Sequence, residues 1–425
     1  MRDLLIFGVI FGLLPFVFKR PAIGALLFTW ISLMNPHRLA YGAAYSFPFA
    51  AVVAAVTALA TLMSKEKKMP WTPVTITLVL FYCWMNVSTL VALEPELVWL
   101  EWDRVTKTFF MVAITLMVIN TEKDLKLFVW IVALSLGIYG LKGGLFTLAS
   151  GGHYRVYGPD GSYIAENNSM ALALVTTLPL IWYLRSLVKN RWIGLGLAAV
   201  AILSAVSAMG SYSRGALLGG VAMLLFLWLK SPKKLPTALA VIAMGALVAV
   251  AMPDAWYERM NTIENYQEDG SAMGRINAWH FAVNIATTHL LGGGFNVFSK
   301  RQFLLYAPNP TDYHVAHSIY FQVLGDQGFV GLALFLLLMF FAWRTGTRII
   351  RFCKDRPDLK WASDLARMSQ VSVIGYAVSG AFLSLAYFDL YYDIIIILVL
   401  LEKILMLKPK PALFPARVEL AKSGG

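Results

Sequence analysis

The chain has 425 residues, of which 58% are hydrophobic and only 14% are charged. Soluble globular proteins carry about 25% charged residues, so this composition excludes an ordinary soluble domain. The formal net charge is +12, but the basic residues are concentrated in short segments between long apolar runs. That distribution is typical of cytoplasmic loops and argues against nucleic-acid binding. We therefore predict a polytopic membrane protein that contacts the lipid bilayer and no nucleic acid.

Apolar runs follow one another along nearly the whole chain. The first, LLIFGVIFGLLPFVF, precedes KRPAIG without a small-residue cleavage site, so we interpret it as a retained span. Each span should be a helix, because a bilayer offers unpaired backbone groups no partner. We predict an all-α protein with about 12 transmembrane helices, drawn from 3–18, 21–35, 47–63, 72–92, 105–120, 126–149, 168–187, 193–210, 215–230, 236–252, 328–343, 365–386 and 391–407.

The loops between these runs predict the orientation. Segments 64–70, 185–191, 230–234 and 344–360 are strongly basic and should face the cytoplasm. Segment 253–316 then lies on the opposite, periplasmic side. It is far longer than the usual connection of about 4–6 residues, and its middle has apolar residues at helical spacing. We expect short helices there, lying over the outer mouth of the bundle.

These assignments divide the chain into five parts. They are N-terminal transmembrane helices (1–149), central transmembrane helices with short periplasmic loops (150–252), a large periplasmic loop (253–316), C-terminal transmembrane helices (317–407) and a cytoplasmic tail (408–425).

Two arginines on the predicted periplasmic side are candidates for anion binding. Arg214, in SAVSAMGSYSRGALLGG, opens an apolar helix, where a guanidinium and the N-terminal N–H groups can bind an anion together. Arg275 follows in GSAMGRINAWHFA. Two fixed cations can divide the charge of a diphosphate. Alternatively, Arg214 snorkels to the interface and Arg275 is a solvated loop charge. Arg155 is a weaker third candidate.

The stretch HVAHSIYFQVLGDQGFVG contains the candidate base. His317 lies at the start of a predicted helix, and a neutral imidazole can take a proton from a hydroxyl near neutral pH. His314 lies one turn earlier, and either histidine could instead be structural. On that helix Ser318, Gln322 and Asp326 form one polar stripe. Glycines 325 and 328 would let the helix bend or end where the next span begins.

Two other classes of function have less support. Glu101 and Asp103, in a predicted outer loop, could hold Mg²⁺ through carboxylate oxygens. Residues two apart do not share a helix face, however, so we predict no metal site and no cofactor. Several spans, such as 72–92, contain no Asp, Glu, Lys or Arg, whereas ion-coupled transporters usually place such residues inside the bundle. An enzyme acting at the membrane face is favoured over a transporter.

The combination of SYSRG, GRINAW, GGGFNVF and HSIYFQVLGDQGFVG resembles the O-antigen ligase and polymerase family of bacterial membrane glycosyltransferases. The resemblance covers about residues 150–400. Arg214, Arg275 and His317 stand at the family's two arginine positions and its histidine position. The chain departs from the pattern at Ser318, where Asn is common, and at Asp326, where Glu is common. The stretches SLMNPHRLAYGAAYSFPFA and RVYGPDGSYIAENN resemble the subgroup of O-glycosylation ligases associated with exosortase.

The resemblance implies a GT-C-like membrane enzyme of the bacterial inner membrane, with its active site facing the periplasm. Such enzymes transfer a glycan from undecaprenyl diphosphate to an acceptor hydroxyl without a metal or nucleotide. It implies that His317 activates the hydroxyl for an inverting attack and that Arg214 and Arg275 hold the diphosphate. Arg155, His314 and Tyr320 are second-rank candidates for substrate binding. Lipid A–core is the leading acceptor; a growing glycan or a protein is the alternative, and a lipid-linked glycan transporter is the alternative of another class.

Overall fold

A computed structural model of the chain describes residues 1–65, 67–230, 252–261 and 270–406, with dipeptides at 234–235, 238–239 and 242–243. The regular structure of these residues is helical, without strands. Two short 3-10 helices, Pro36–Leu39 and Pro357–Leu359, join longer elements. The α-helices are α1 Arg2–Lys19, α2 Pro21–Met34, α3 Phe49–Met63, α4 Pro73–Leu90, α5 Val98–Val118, α6 Glu122–Ala149, α7 Asn167–Leu187, α8 Arg191–Met209, α9 Arg214–Lys230, α10 Asp254–Asn261, α11 Gly270–Thr288, α12 Lys300–Tyr306, α13 Ile319–Phe352, α14 Lys360–Gly380 and α15 Asp389–Met406.

Nearly every predicted span coincides with one of these helices. The predicted span 236–252 falls mostly outside the described residues, as does the tail 408–425. Among the described residues, five helices are long and apolar enough to cross a membrane: α4, α6, α7, α8 and α13. The protein is therefore an all-helical, multi-pass membrane protein.

Two predicted boundaries are wrong. The span placed at 328–343 is only the middle of α13, which has 34 residues and begins at Ile319. Gln322 and Asp326 lie on α13, as the helix predicted near His317 requires. Glu101 and Asp103, predicted to lie in an outer loop, are part of α5, which already begins at Val98. Glu101 accepts the Tyr163 hydroxyl and Asp103 pairs with Lys107, contacts that a count of apolar residues does not detect.

Helices α6 and α8 approach each other closely through glycines. A Cβ atom on Gly140 would lie 1.9 Å from Oγ of Ser204, and one on Gly144 would lie 2.2 Å from the backbone oxygen of Leu203. Small residues allow this approach in membranes, where van der Waals packing takes the place of the hydrophobic effect between helices.

The last helix, α15, lies at the centre of the bundle. Its run IIIILVLL, residues 394–401, is at most 1% exposed at every position, and the helix packs against α2, α4, α5, α6, α13 and α14. A helix that is apolar all round is buried either in protein or in lipid. Here it is protein that surrounds it.

Helix α13 is interrupted at Gly328, whose φ of 66° and ψ of −171° are not helical. This confirms the predicted bend. The glycine loop at 292–294 pairs with the interrupted backbone: the N–H of Gly293 donates to the oxygen of Gly325 at 2.9 Å, and that of Gly294 to the oxygen of Asp326 at 2.8 Å. The loop therefore satisfies carbonyl groups that the kink releases.

The side chains of the GDQG sequence anchor this kink to the bundle. The Tyr387 hydroxyl donates to Asp326 Oδ2 at 3.1 Å, and the Gln327 amide donates to the Tyr387 hydroxyl at 3.3 Å. Ser88 of α4 donates to Gln327 Oε1. Gln322 Oε1 accepts the backbone N–H of Ala386 at 3.1 Å. This part of the polar stretch holds α13, α4 and the segment before α15 together.

We expect Gly328→Ala to destabilise the protein by at least about 1–3 kcal/mol. The added Cβ would force a non-glycine residue to φ 66° and would lie 2.5 Å from the Leu290 oxygen. Gly220→Ala on α9 is the control, because a Cβ there meets nothing within 4 Å. The measurement is thermal unfolding in detergent; equal unfolding temperatures for both variants would contradict the assigned role of the kink.

Candidate active site

A narrow cleft at one end of the bundle brings three arginines together. Arg214, Arg259 and Arg275 all line it. They come from α9, α10 and α11, and side chains from the start of α7 and the end of α14 complete the walls. The two arginines singled out in the sequence thus meet in space, and a third joins them. The remaining lining residues are Asn168, Leu172, Tyr212, Ser213, Gly215, Ala216, Ser379, Phe382 and Leu383.

The SYSRG sequence forms the tight turn that positions Arg214. Tyr212 adopts a left-handed φ of 61°, and its hydroxyl donates to the Gly152 oxygen at 2.7 Å. Ser213 Oγ accepts the N–H of Ala216 at 3.3 Å, so a serine caps the helix that Arg214 begins. A Cβ on Gly215 would lie 3.1 Å from Phe382. The glycine therefore lets α9 pack closely against the segment that follows α14.

Arg259 is the residue that the sequence analysis missed. Its helix α10 is held by Trp256, which donates from Nε1 to the Met209 oxygen at 3.1 Å. Trp256 and Met260 are buried in a small apolar cluster with Tyr212. The sequence feature that could have revealed this helix is the four-residue spacing of Trp256 and Met260, which predicts a short helix with one apolar face. Only the docking of that face beside the Tyr212 turn decides that Arg259 lines the cleft.

Arg275 lies on α11, which also fixes the segment leading to His317. The Asn277 amide donates to the backbone oxygens of Asn309 at 2.8 Å and Asp312 at 2.9 Å. Two residues further along, Trp279 Nε1 donates to the Ala316 oxygen at 2.8 Å. The GRINAW sequence therefore ties residues 309–316 along its own helix, and His317 follows directly.

His317 is the last residue before the N-cap of α13 and has a left-handed φ of 44°. It is half-buried. Burial, and to a smaller extent the positive charge of Arg275 and the neighbouring His314, lower its pKa to about 4. The imidazole is therefore neutral at pH 7 and has a nitrogen lone pair that can accept a proton.

The three second-rank candidates have other contacts. His314 Nε2 lies 2.9 Å from Asp312 Oδ1, which orients its ring beside α11. Arg155 is exposed, and its guanidinium lies over the Tyr212 ring at 5.8 Å, at the rim of the cleft. The Tyr320 hydroxyl donates to the Ala377 oxygen at 2.9 Å. It thus links α13 to α14.

The two carboxylates considered for a metal site belong to α5 and have separate partners. Glu101 accepts the Tyr163 hydroxyl at 2.7 Å, whereas Asp103 forms an ion pair with Lys107 at 2.5 Å. The position of this pair in an outer loop was predicted wrongly, because the helix begins before them. Within the described part of the chain, no group of three or more His, Cys, Asp or Glu is arranged to hold a metal ion.

The two N-terminal stretches quoted for the subgroup resemblance contact each other, and the second also reaches the cleft, through Arg155 at its rim and Asn168 in its lining. The guanidinium of Arg38 packs against the backbone of Gly161, where a Cβ atom would lie 3.3 Å from Cζ. Gly161 has a φ of 72°, which only glycine adopts readily. The glycine in YGPDGSY thus accommodates the arginine of NPHRL.

Two family models match parts of the chain. Residues 199–336 match the family model described as O-Antigen ligase, and residues 1–189 match a family of unknown function (DUF5935). The first match contains Arg214, Arg259, Arg275 and His317. A comparison with curated proteins gave no match.

A cleft lined by three arginines in a helical membrane fold suits an anionic ligand. Residues 199–336 form a domain that matches the O-antigen ligase family. This match supports glycan transfer of the ligase or polymerase type, with lipid-linked glycans and the bilayer as its setting.

Proposed function

We propose that this protein is an O-antigen ligase of the bacterial inner membrane. It transfers a glycan from undecaprenyl diphosphate to a hydroxyl of lipid A–core on the periplasmic face. The observation that carries the proposal is the meeting of Arg214, Arg259 and Arg275 in one cleft, beside a histidine that is neutral at pH 7. We also propose that the chain crosses the membrane about 12 times and that segment 253–316 lies in the periplasm.

The reaction is an in-line displacement at the anomeric carbon. The acceptor oxygen forms a bond to that carbon as the bond between the carbon and the diphosphate oxygen breaks, which inverts the configuration. His317 accepts the proton of the acceptor hydroxyl. The bonding electrons leave with undecaprenyl diphosphate, whose developing negative charge is stabilised by the guanidinium groups of Arg214 and Arg275, with Arg259 as a third cation.

Fixed guanidinium groups supply the positive charge for which other phosphoryl-handling enzymes use a divalent cation. We therefore propose a metal-independent reaction without a nucleotide cofactor. The cleft has a volume of about 10 Å³, close to that of one water position. Its lining side chains must separate to admit a diphosphate, so donor binding includes a local rearrangement.

Two other acceptors are compatible with the same chemistry. A growing glycan would make the protein an O-antigen polymerase, and a protein hydroxyl would make it an O-oligosaccharyltransferase related to the exosortase-associated ligases. The alternative from another functional class is a transporter, which would move the lipid-linked glycan without cleaving a bond. The three arginines lie at one end of the bundle and not along a path through it, which favours transfer.

The test supplies purified full-length protein with one undecaprenyl-diphosphate-linked glycan and with lipid A–core, glycan or protein acceptors in separate reactions containing EDTA. We expect label to move to lipid A–core at the same rate with and without EDTA. Label found only in protein or only in lengthened glycan would replace the proposed acceptor. Movement of intact donor across vesicles without product would contradict the enzyme proposal.

A further inference from the structure

A second, larger cavity lies at the other end of the bundle. It is a groove of about 590 Å³ lined by Pro73 at the start of α4 and by side chains between residues 341 and 351 of α13. Helix α13 begins next to His317 and is kinked at Gly328. Its part from the kink to Phe352 is about 36 Å long at a rise of 1.5 Å per residue. That length exceeds the hydrocarbon thickness of about 30 Å. Residues 341–351, which contribute to the groove, thus lie about 20–35 Å beyond the kink, at the end of α13 far from His317.

The lining of the groove is strongly basic. Arg344, Arg348 and Arg351 follow one another at spacings of four and three residues, so they share one face of α13. Arg348 forms an ion pair with Glu402 of α15 at 2.6 Å, the only ion pair of these three arginines among the described residues. Arg344 and Arg351 are exposed. Two cationic side chains therefore remain to attract an anion.

Besides Thr345 and Thr347, the rest of the lining is apolar and aromatic. Phe341, Trp343 and Pro73 contribute to it, and the Trp343 ring packs edge-on against Phe226 of α9 with centroids 5.4 Å apart. Tryptophan and arginine together are typical of the membrane–water interface. A ligand that matches this groove has an anionic head and a hydrocarbon body.

We propose that the groove binds one anionic phospholipid from the bilayer leaflet opposite the arginine cleft. Its phosphate lies between Arg344 and Arg351, and an acyl chain lies along Phe341 and Trp343. Basic pockets between helices at the cytoplasmic face suit anionic lipid head groups. The basic segment 344–360, whose first nine residues form the end of α13, is the one predicted to face that side. The proposal does not depend on the identity of the glycan acceptor.

The C-terminal tail is a poorer occupant on grounds of charge. It follows α15, which carries Glu402 beside the groove, but its sequence KPKPALFPARVELAKSGG has four basic residues and one acidic residue. A basic segment would be repelled by Arg344 and Arg351. Lysines 67 and 68, a few residues before Pro73, add further positive charge on this side and favour an anionic ligand.

The experiment compares lipid binding to full-length protein by native mass spectrometry and by thermal unfolding in detergent. Phosphatidylglycerol and phosphatidylcholine with identical acyl chains are titrated separately. Each basic residue near an anionic lipid surface contributes about 1 kcal/mol, a factor of about five in affinity. We expect wild type to prefer phosphatidylglycerol by at least tenfold. The double variant Arg344→Gln/Arg351→Gln should lose about thirtyfold in affinity for phosphatidylglycerol and little for phosphatidylcholine.

Lys354→Gln is the matched control, because Lys354 is exposed at the same end of α13 but does not line the groove. It should bind phosphatidylglycerol as wild type does. Equal binding of the two lipids to wild type, or wild-type binding by the double variant, would overturn the proposal. So would full protection by inorganic phosphate alone, since the groove would then recognise an anion without its hydrocarbon. None of these results bears on Arg214, Arg275 or His317.

Discussion

His317→Asn is expected to lower glycan transfer by roughly 100- to 10,000-fold, the usual contribution of a general base, while the protein stays folded. Asparagine is the informative replacement because residue 317 has a φ of 44°. Asparagine tolerates this left-handed conformation better than alanine or glutamine, but its amide cannot take the proton. Single-turnover rates with saturating lipid-linked donor would measure the loss.

The control for this variant is His280→Asn. His280 lies on α11, the helix that carries Arg275, but is exposed and does not line the cleft. It should transfer glycan at the wild-type rate. If His317→Asn also keeps near-normal turnover, the histidine is structural and the base must be sought elsewhere.

The pH profile gives a second readout for His317. Burial, Arg275 and His314 lower its pKa to about 4, so the free enzyme keeps a neutral imidazole well below pH 6. We expect kcat/KM to be nearly constant between pH 7.5 and pH 5.5. A base with the ordinary histidine pKa of about 6.5 would lose about tenfold at pH 5.5. Such a loss in wild type would contradict the assignment.

The positive charge of Arg275 also predicts in which direction the pKa of His317 changes when Arg275 is replaced. Removing the charge in Arg275→Gln takes away repulsion of the protonated imidazole, so the pKa of His317 should rise toward its ordinary value. Arg275→Lys keeps the charge and should leave the pKa low. Histidine-selective NMR titration measures this directly and independently of activity.

Arg214→Gln and Arg275→Gln are each expected to lower kcat by roughly 100- to 1,000-fold, the usual effect of removing one group that stabilises transition-state charge. Both guanidinium groups line the same cleft, where a diphosphate leaving group would gain charge as its bond to the sugar breaks. If they act mainly in the transition state, kcat and kcat/KM should fall together. Lysine variants should recover only part of the rate, because an ammonium cannot bind two oxygens side by side.

Arg301→Gln serves as the control for the arginine variants. Arg301 is exposed on α12, within the segment 253–316 that also contains Arg275, and does not line the cleft. Its rate should match wild type. Arg259→Gln should behave like the two cleft variants, because Arg259 lines the same space. Normal kcat in both Arg214→Gln and Arg275→Gln would contradict diphosphate binding at this cleft.

The sequence by itself determined the class of fold and two parts of the cleft. Apolar runs separated by basic loops are sufficient to predict helices in a membrane, because a bilayer permits few other structures. The positions of Arg214 at a helix start and of Arg275 within an unusually long connecting segment singled them out. The same kind of reasoning predicts a role for His317, since a histidine at the start of an apolar helix needs an explanation.

Only the tertiary structure decided which residues meet. Arg259 becomes part of the cleft because Trp256 docks on the end of α8, a contact between distant segments that no local pattern encodes. Asp326 and Gln327 hold a kink against Tyr387 and Ser88, although in sequence they were indistinguishable from cleft residues. The central position of helix α15 is likewise decided by contacts between distant segments. Its apolar run suits lipid and protein equally, and only packing against its neighbours selects protein.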